Sequence, residues 1–466
     1  MNKSFRFQLA LLFFVGSSIL VHAAGKDSIQ YEIGVSGLAS TGKFSPFWLQ
    51  SNQYGKISSD PLSTNLQLGV AKDYGHQKKA FDYGFKFNAI EQIGNNSHQL
   101  FPQEYYLKAR LWFMDFSAGA REEIYGNQDE SLSCGGFLFS KNSRPIPKLH
   151  AGIDHFTTIP FTFSLLEIKG GVSNGWFIDN IYASGAMMHH KYLYGRIGGK
   201  GPVHFQYGLD HVAEWGGNVP GYGPQPSGLK DFFTIFMGHS GGSGGEHINA
   251  LGNHIISQSM RLDARISQFS IGMYWQNLSE DGPVRFMAKA MNVSDGLWGI
   301  SIRNKTFPII KGFVYEYLNT TDQSGPYHDK DGIVYGGSDS YFQNYVYNEG
   351  WSYFSRTIGT PFISSPLYTG NVYSNNTRVQ VHHFAMEGAA FKTTFKAMAS
   401  FSKNYGAYGG YFNSPSQSYL FELNKQISSI HNIELSASFG LDAGKLYGNS
   451  TGLLISIKKT GNLFNY

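Results

Sequence analysis

One cysteine, Cys134, stands in 466 residues. An intrachain disulfide is therefore excluded, and so is any zinc site that needs two cysteines. Charge is also scarce. Asp, Glu, Lys and Arg make up 15% of the chain, against about 25% in an average soluble domain. The net charge is +4 without a polybasic run, so no nucleic-acid partner is expected. No repeat of fixed period is found, which argues against a propeller. Beyond the first residues nothing resembles a transmembrane helix.

What is abundant is glycine (56 residues) and aromatic side chains (16%). The start, "MNKSFRFQLALLFFVGSSILVHAAG", reads as a secretory signal. Lys3 and Arg6 form its charged part, Leu9 to Leu20 its apolar part, and "VHA" suits a peptidase. Residues 1–23 are therefore expected to be a signal peptide, with 24–466 as the exported protein. Any membrane residence of the mature chain must come from strands.

Strand signals recur throughout. In "NIELSASFGLD" (432–442), Ile433, Leu435, Ala437, Phe439 and Leu441 share one face, while Glu434, Ser436 and Ser438 share the other. "FKTTFKAMASFSKN" (391–404), "FDYGFKF" (81–87) and "VHFQYGL" (203–209) alternate likewise. A period of two means strands with one apolar and one polar face. A soluble sandwich alternates too, so connection lengths carry the decision.

Long connections are expected at 41–61, 93–102, 126–146, 174–189, 215–258, 277–294, 319–377, 402–416 and 443–450. Short ones are expected between them, at "GHQKK" (75–79), Met114-Asp115, "GGKG" (198–201), "SQ" (267–268), "TFP" (306–308) and "GAA" (388–390). This predicts an all-β, up-and-down transmembrane outer-membrane β-barrel of about 18 antiparallel strands, with long extracellular loops. Closure would leave no unpaired backbone in lipid. The last strand is expected to stop near Lys459, ahead of a short tail.

The long loops hold the chemistry-bearing residues. "EWGGNVPGYGPQPSG" (214–228) follows a strand, and from Gly216 to Gly228 it contains five glycines and three prolines. Such a segment is neither helix nor strand. Carboxylates and amides hydrogen-bond sugar hydroxyls, and aromatic faces cover the C–H surface of a pyranose. On that ground Trp215, Tyr222, Glu246, Asn249, Asn253, Glu280, Asp281, Tyr341, Asn344 and Trp351 are candidate carbohydrate-binding residues. Glu280 and Asp281 are sequence neighbours that point apart, which makes them a poor catalytic pair. In His189-His190 and His382-His383 the imidazoles alternate faces, so hydrogen-bonded luminal histidines are expected rather than metal ligands. His211 lies on the apolar parity of its strand near the outer rim. No catalytic residue, metal or cofactor is expected.

Several segments together resemble the capsule assembly protein family Wzi, in its Bacteroides-type branch. They are "SKNSRPIP" (140–147), "MHHK" (188–191), "EWGG" (214–217), "GEHINALGNH" (245–254), "SEDG" (279–282), "DGLWG" (295–299), "YEYLNTTDQSGP" (315–326) and "GTPF" (359–362). The resemblance implies an 18-strand barrel that acts as a lectin and holds capsular polysaccharide at the surface of a Gram-negative cell. Enterobacterial members carry a helical segment before the barrel. Here the first strand pattern begins within a few residues of the expected cleavage site. The implied partners are capsular or surface polysaccharide, outer-membrane lipid and the polysaccharide export machinery. A porin or saccharide channel is the alternative from another class, and an outer-membrane lipase or glycosidase the third. The loops at 215–258 and 319–377 are long enough to fold inward and block the lumen.

Overall fold

A computed structural model describes residues 28–75, 80–95, 97–241, 250–280, 294–323, 329–330, 333–334, 340–370, 372–407, 410–427 and 432–465. The expected signal peptide lies outside the described residues. The barrel opens with β1 (Ser28–Ser40), β2 (Leu62–Lys72), β3 (Phe81–Gly94), β4 (His98–Leu111), β5 (Met114–Ala120) and β6 (Lys148–Thr158). It continues through β7 (Leu166–Trp176), β8 (Met187–Ile197), β9 (Val203–Trp215), β10 (Asn253–Ile266), β11 (Phe269–Ser279) and β12 (Gly296–Asn304). The circuit ends with β13 (Ile310–Asn319), β14 (Val379–Ala390), β15 (Thr393–Ala407), β16 (Gly410–Ile427), β17 (Ile433–Gly444) and β18 (Ser450–Asn465). Among the described residues three helices belong to the connections: α1 (Phe47–Gln50), α2 (Leu229–Met237) and α3 (Pro366–Thr369).

All 18 strands form one antiparallel sheet, and it closes on itself. β1 pairs with β2 on one side and with β18 on the other, from Ser40↔Gly452 down to Ser28↔Asn465. No edge is left over, which is what a hydrocarbon environment demands. The expected stop near Lys459 is corrected here: β18 runs on to Asn465, past a bulge opposite Ile29 and Gln30. Gly461 breaks the apolar alternation for a steric reason. A Cβ there would stand 2.6 Å from the ring of Tyr31 on β1.

The period of two sorts the side chains as expected. On β15, Ser400, Ser402 and Asn404 are buried in the lumen while Phe401 is exposed outside. The outer wall carries exposed Leu66, Leu68, Leu107, Leu193, Phe205, Met273, Ile455 and Ile457. An apolar exterior around a polar interior is the pattern of a barrel solvated by lipid. No described helix is long and apolar enough to cross a membrane.

Connection lengths need more correction. The turn at one end lies at Trp112–Phe113 rather than Met114-Asp115, and another at Phe391–Lys392 rather than 388–390. Both shifts have one cause: non-glycine residues take positive φ in these tight hairpins, as at Trp112 (54°), Phe391 (52°) and Lys392 (59°). At the other end, 95–97, 408–409 and 445–449 are short where long loops were expected. Polar residues around Pro415 read as a loop, yet β15 and β16 stay paired as far as Ala407↔Gly410. The length is concentrated instead in 41–61, 121–147, 216–252 and 320–378. That end is the loop end below, and the opposite one the turn end.

Candidate functional site at the plugged mouth

Three loop-end connections turn inward and fill the mouth. The 41–61 segment brings α1, whose Phe47, Trp48 and Leu49 are buried. The 121–147 segment contributes Leu132, Phe137 and Leu138, and 340–378 contributes Tyr341, Phe342, Trp351 and Tyr353 to the same apolar cluster. Each segment is tied to inward-pointing strand side chains. Trp48 Nε1 donates to Ser400 Oγ on β15 (3.1 Å), and the Phe47 N–H to Asp442 Oδ2 on β17 (2.7 Å).

The 121–147 segment is held from many directions at once. Glu316 on β13, fully buried, accepts from Ser133 Oγ (2.6 Å), the Cys134 N–H (2.6 Å) and Tyr274 Oη (2.7 Å). Gln276 on β11 accepts the Phe137 N–H at 2.8 Å. Arg303 on β12 pairs with Asp129 and donates to Ser131 Oγ (2.8 Å). Across the barrel, Lys148 on β6 pairs with Glu123, and Glu104 on β4 accepts the Glu122 N–H at 3.1 Å. Arg261 on β10 and His383 on β14 bond the carbonyls of Asn127 (2.8 Å) and Leu132 (2.9 Å). A segment anchored to strands all round the wall crosses the lumen.

Beneath it two charged cavities share the wall Glu123–Tyr125. One, about 270 Å³, lies against Lys141, Lys396 and Glu422. The other, about 730 Å³, reaches the turn-end residues Ser28 and Asp73 and is lined by Lys108, Arg110 and Asp154.

Above the plug, the connections 177–186, 216–228 and 340–351 join into a cap. Ser184 and Asn218 exchange backbone hydrogen bonds of 3.0 and 2.8 Å, and Tyr347 Oη donates to the Gly216 carbonyl at 3.0 Å. The Phe354 N–H donates to Asp179 Oδ2 (2.7 Å). The glycine- and proline-rich stretch after β9, expected to be neither helix nor strand, forms instead a small hairpin pairing Asn218–Val219 with Gly223–Pro224, and Tyr222 stands at its tip. Tyr222 and Tyr345 are each about half exposed, with rings 6.3 Å apart. Ile178 and Ile181 are exposed nearby on the 177–186 connection.

Two acidic sites at the loop end are shifted by their surroundings, the half-buried pair Asp179 and Glu349 and the buried Asp295. Burial raises Glu349 to about 8, and the charge of Asp179 beside it adds to the rise. Asp179 is also raised, by burial, against the hydrogen bond from Phe354. The pair therefore holds a proton near neutral pH. Asp295 is pushed up to about 6 by burial, although Asp322, Gln323 and Tyr341 all donate to it.

The candidate carbohydrate residues are dispersed. Glu246, Asn249 and Asp281 lie outside the described residues. Tyr222 is exposed on the cap. Trp351 and Tyr341 are buried in the plug, with Trp351 Nε1 donating to the Leu138 carbonyl (2.8 Å). Glu280 accepts the Phe342 N–H (2.7 Å), and Asn344 Oδ1 accepts from the amides of Val346 and Tyr347. Asn253 donates to Glu214 at 2.7 Å. Trp215 is buried on the outer wall and donates to Asn174 at 3.2 Å. These polar groups are occupied in holding loops, and Tyr222 alone of the described candidates presents a large open ring.

The histidine pairs do alternate. His190 and His383 face the lumen, bonded to Asp210 (3.0 Å) and Ser400 (2.7 Å), while His189 and His382 point outward. The inward fold offered for 215–258 is corrected: 216–228 joins the cap, and α2 (Leu229–Met237) covers the outer wall beside β8–β10. The plug is built by 340–377, inside the 319–377 loop that the sequence offered for this role, together with 41–61 and 121–147. Sequence reasoning passed over Glu316, Gln276, Arg303 and Asp129. Strand parity could have found Glu316, which lies between the outward Tyr315 and Tyr317.

No family description matches the chain, and no curated protein matches it in sequence. Among solved structures, the chain is similar to Wzi of Escherichia coli, an outer-membrane, carbohydrate-binding β-barrel involved in group 1 capsule assembly. The two share 12% identity with a TM-score of 0.60, over 93% of this chain and 84% of that one. It is also similar to Pseudomonas aeruginosa OccK5 (8% identity, TM-score 0.49, 95% and 100% covered) and OprD (9%, 0.48, 96% and 99%). At these identities the likeness concerns the fold, that of an outer-membrane barrel.

Proposed function

We propose that this chain is an outer-membrane protein that binds surface polysaccharide at its loop end and keeps it at the cell surface. The observation that carries the reading is the plug. An 18-strand barrel is wide enough for a water channel, yet here three connections fill its mouth and are bonded to strands all round the wall. A mouth filled and anchored in this way favours binding over free diffusion. The cap offers open tyrosine rings among backbone polar groups, a chemistry suited to sugar. The solved structure of Wzi, a carbohydrate-binding barrel, supports the same reading for a similar fold.

A channel is the second reading, favoured by the charged cavities that meet at Glu123–Tyr125. Displacing that wall would join them. Two measurements separate the readings. Purified protein should bind the cell's own surface polysaccharide and show little conductance in a planar bilayer. Changing Tyr222 and Tyr345 to Ala should weaken binding by on the order of 1 kcal/mol per ring, about fivefold each. Because a polymer engages many copies, single substitutions will be masked on cells. Deletion should leave polymer synthesis intact and release polysaccharide into the medium. Normal retention with strong wild-type conductance would establish the channel instead.

A further inference from the structure

A second apolar cluster lies outside the barrel. Ala213, Trp215, Ile235 and Leu251 are buried in it, with Met187 and Phe232 against them, apart from the core in the lumen. Pairing places these strand residues on the outer wall: Met187 opposes Trp215, and His189 opposes both Asn174 and Ala213. Lys191 opposes His211, and His254 opposes Ala213 on the same face. Three histidines and a lysine thus point away from the lumen within a few residues of the loop end. Left bare in hydrocarbon they would be costly.

Helix α2 covers them. Phe232 and Phe236 contact the His189 ring, with centroids 5.4 and 5.5 Å away. Lys191 Nζ bonds the Phe236 carbonyl, at the end of the helix where a cation is favoured. At the other end Asp231 accepts the Gly228 N–H at 2.8 Å. His254 Nε2 bonds the Leu251 carbonyl (2.7 Å), so its Nδ1 accepts from His211 Nε2 (2.7 Å). Among the described residues no group of His, Cys, Asp or Glu is arranged to hold a metal. The histidines serve as a polar floor under the helix.

With that face spent on the wall, the opposite face is apolar too. Leu229, Phe233 and Met237 recur every fourth residue and are 75%, 58% and 60% exposed. Further down the same outer face of β8–β10, beyond the residues that α2 covers, Leu193, Phe205, Leu209 and Met260 are exposed as well. We infer that α2 is an interfacial helix: its outer stripe sits among the acyl chains of the membrane leaflet at the loop end. It thereby moors the hairpin that carries Tyr222 to the lipid surface. The inference rests on the barrel and its outer wall, and stands whether the protein binds polysaccharide or conducts.

The test uses the intact protein reconstituted in lipid. Cys134 is fully buried, so a cysteine introduced by Phe233→Cys can be labelled selectively with an environment-sensitive fluorophore. Its emission should be blue-shifted, strongly quenched by lipids spin-labelled high on the acyl chain, and insensitive to aqueous iodide. The same label at Met237→Cys should agree, and at Tyr222→Cys it should show the reverse. Iodide quenching at 233 equal to that at 222, without lipid quenching, overturns the inference. So does protection at 233 accompanied by disulfide-linked dimers, which would make the occupant a second copy.

Discussion

Glu316 shows how much of the architecture one side chain can hold. It is fully buried, and its carboxylate receives a hydroxyl and an amide from the 121–147 segment and a tyrosine hydroxyl from β11. Removing it leaves three buried donors without their acceptor. Glu316→Ala should therefore lower stability by on the order of 3 kcal/mol, and Glu316→Gln, which keeps an acceptor oxygen, by less. The barrel strands should survive, read as retained heat-dependent gel mobility, while conductance rises as the plug loosens. Equal midpoints for wild type and Glu316→Ala would remove Glu316 from this role. Parity made this residue legible; its partners were not. Which loop residues reach it depends on a path across the lumen that leaves no local trace. For the same reason Trp351 and Tyr341 looked like sugar-facing rings, since an aromatic in a polar loop can equally be the core of a plug.

At the level of elements, strands were far more legible than connections. A strand's alternation records its two solvents residue by residue, so parity put one histidine of each pair in the lumen and His211 on the outer face. The structure names the inward ones as His190 and His383. Loop length carries no such record. Pro415 with the glycines and polar residues of 402–416 signalled a loop while the pairing ran through, and α2 was missed inside a segment read as irregular. Parity nonetheless put Trp215 beside His211 on the outer face, a sign that this tryptophan belongs to the wall rather than to a sugar site. The connections also carry a pH dependence of their own. Glu349, raised to about 8 beside an Asp179 that is raised as well, holds the 340–378 connection to the 177–186 connection. The folded form binds a proton more tightly than the unfolded form does. The contact is thus at full strength below the ordinary carboxylate range and is lost as pH rises through about 8. Wild type should melt at lower temperature at about pH 9 than at about pH 6, and Glu349→Gln should flatten that difference. Parallel curves for the two proteins would exclude the pair as the cause.

For the whole molecule the consequence of an even, closed sheet is sidedness. β1 begins and β18 ends at the turn end, and short connections such as 198–202 lie there too, while the plug and cap gather at the other. Outer-membrane barrels place short turns in the periplasm and long loops outside, and the polysaccharide reading needs the cap outside. An epitope inserted at Gly223, at the exposed hairpin, should therefore be labelled on intact cells. Gly223 (φ 74°) and Gly199 (φ 57°) both lie outside the 18 barrel strands, so insertion at either leaves the barrel pairing alone. One inserted at Gly199 should be labelled after permeabilisation and not before. Labelling at Gly199 on intact cells, with Gly223 protected, would invert the molecule. The cap would then face the periplasm, and α2 would sit in the inner leaflet of the same membrane. A polymer tether at the cell surface could not be built that way, so this one experiment bears on the sheet, the helix and the proposed function together.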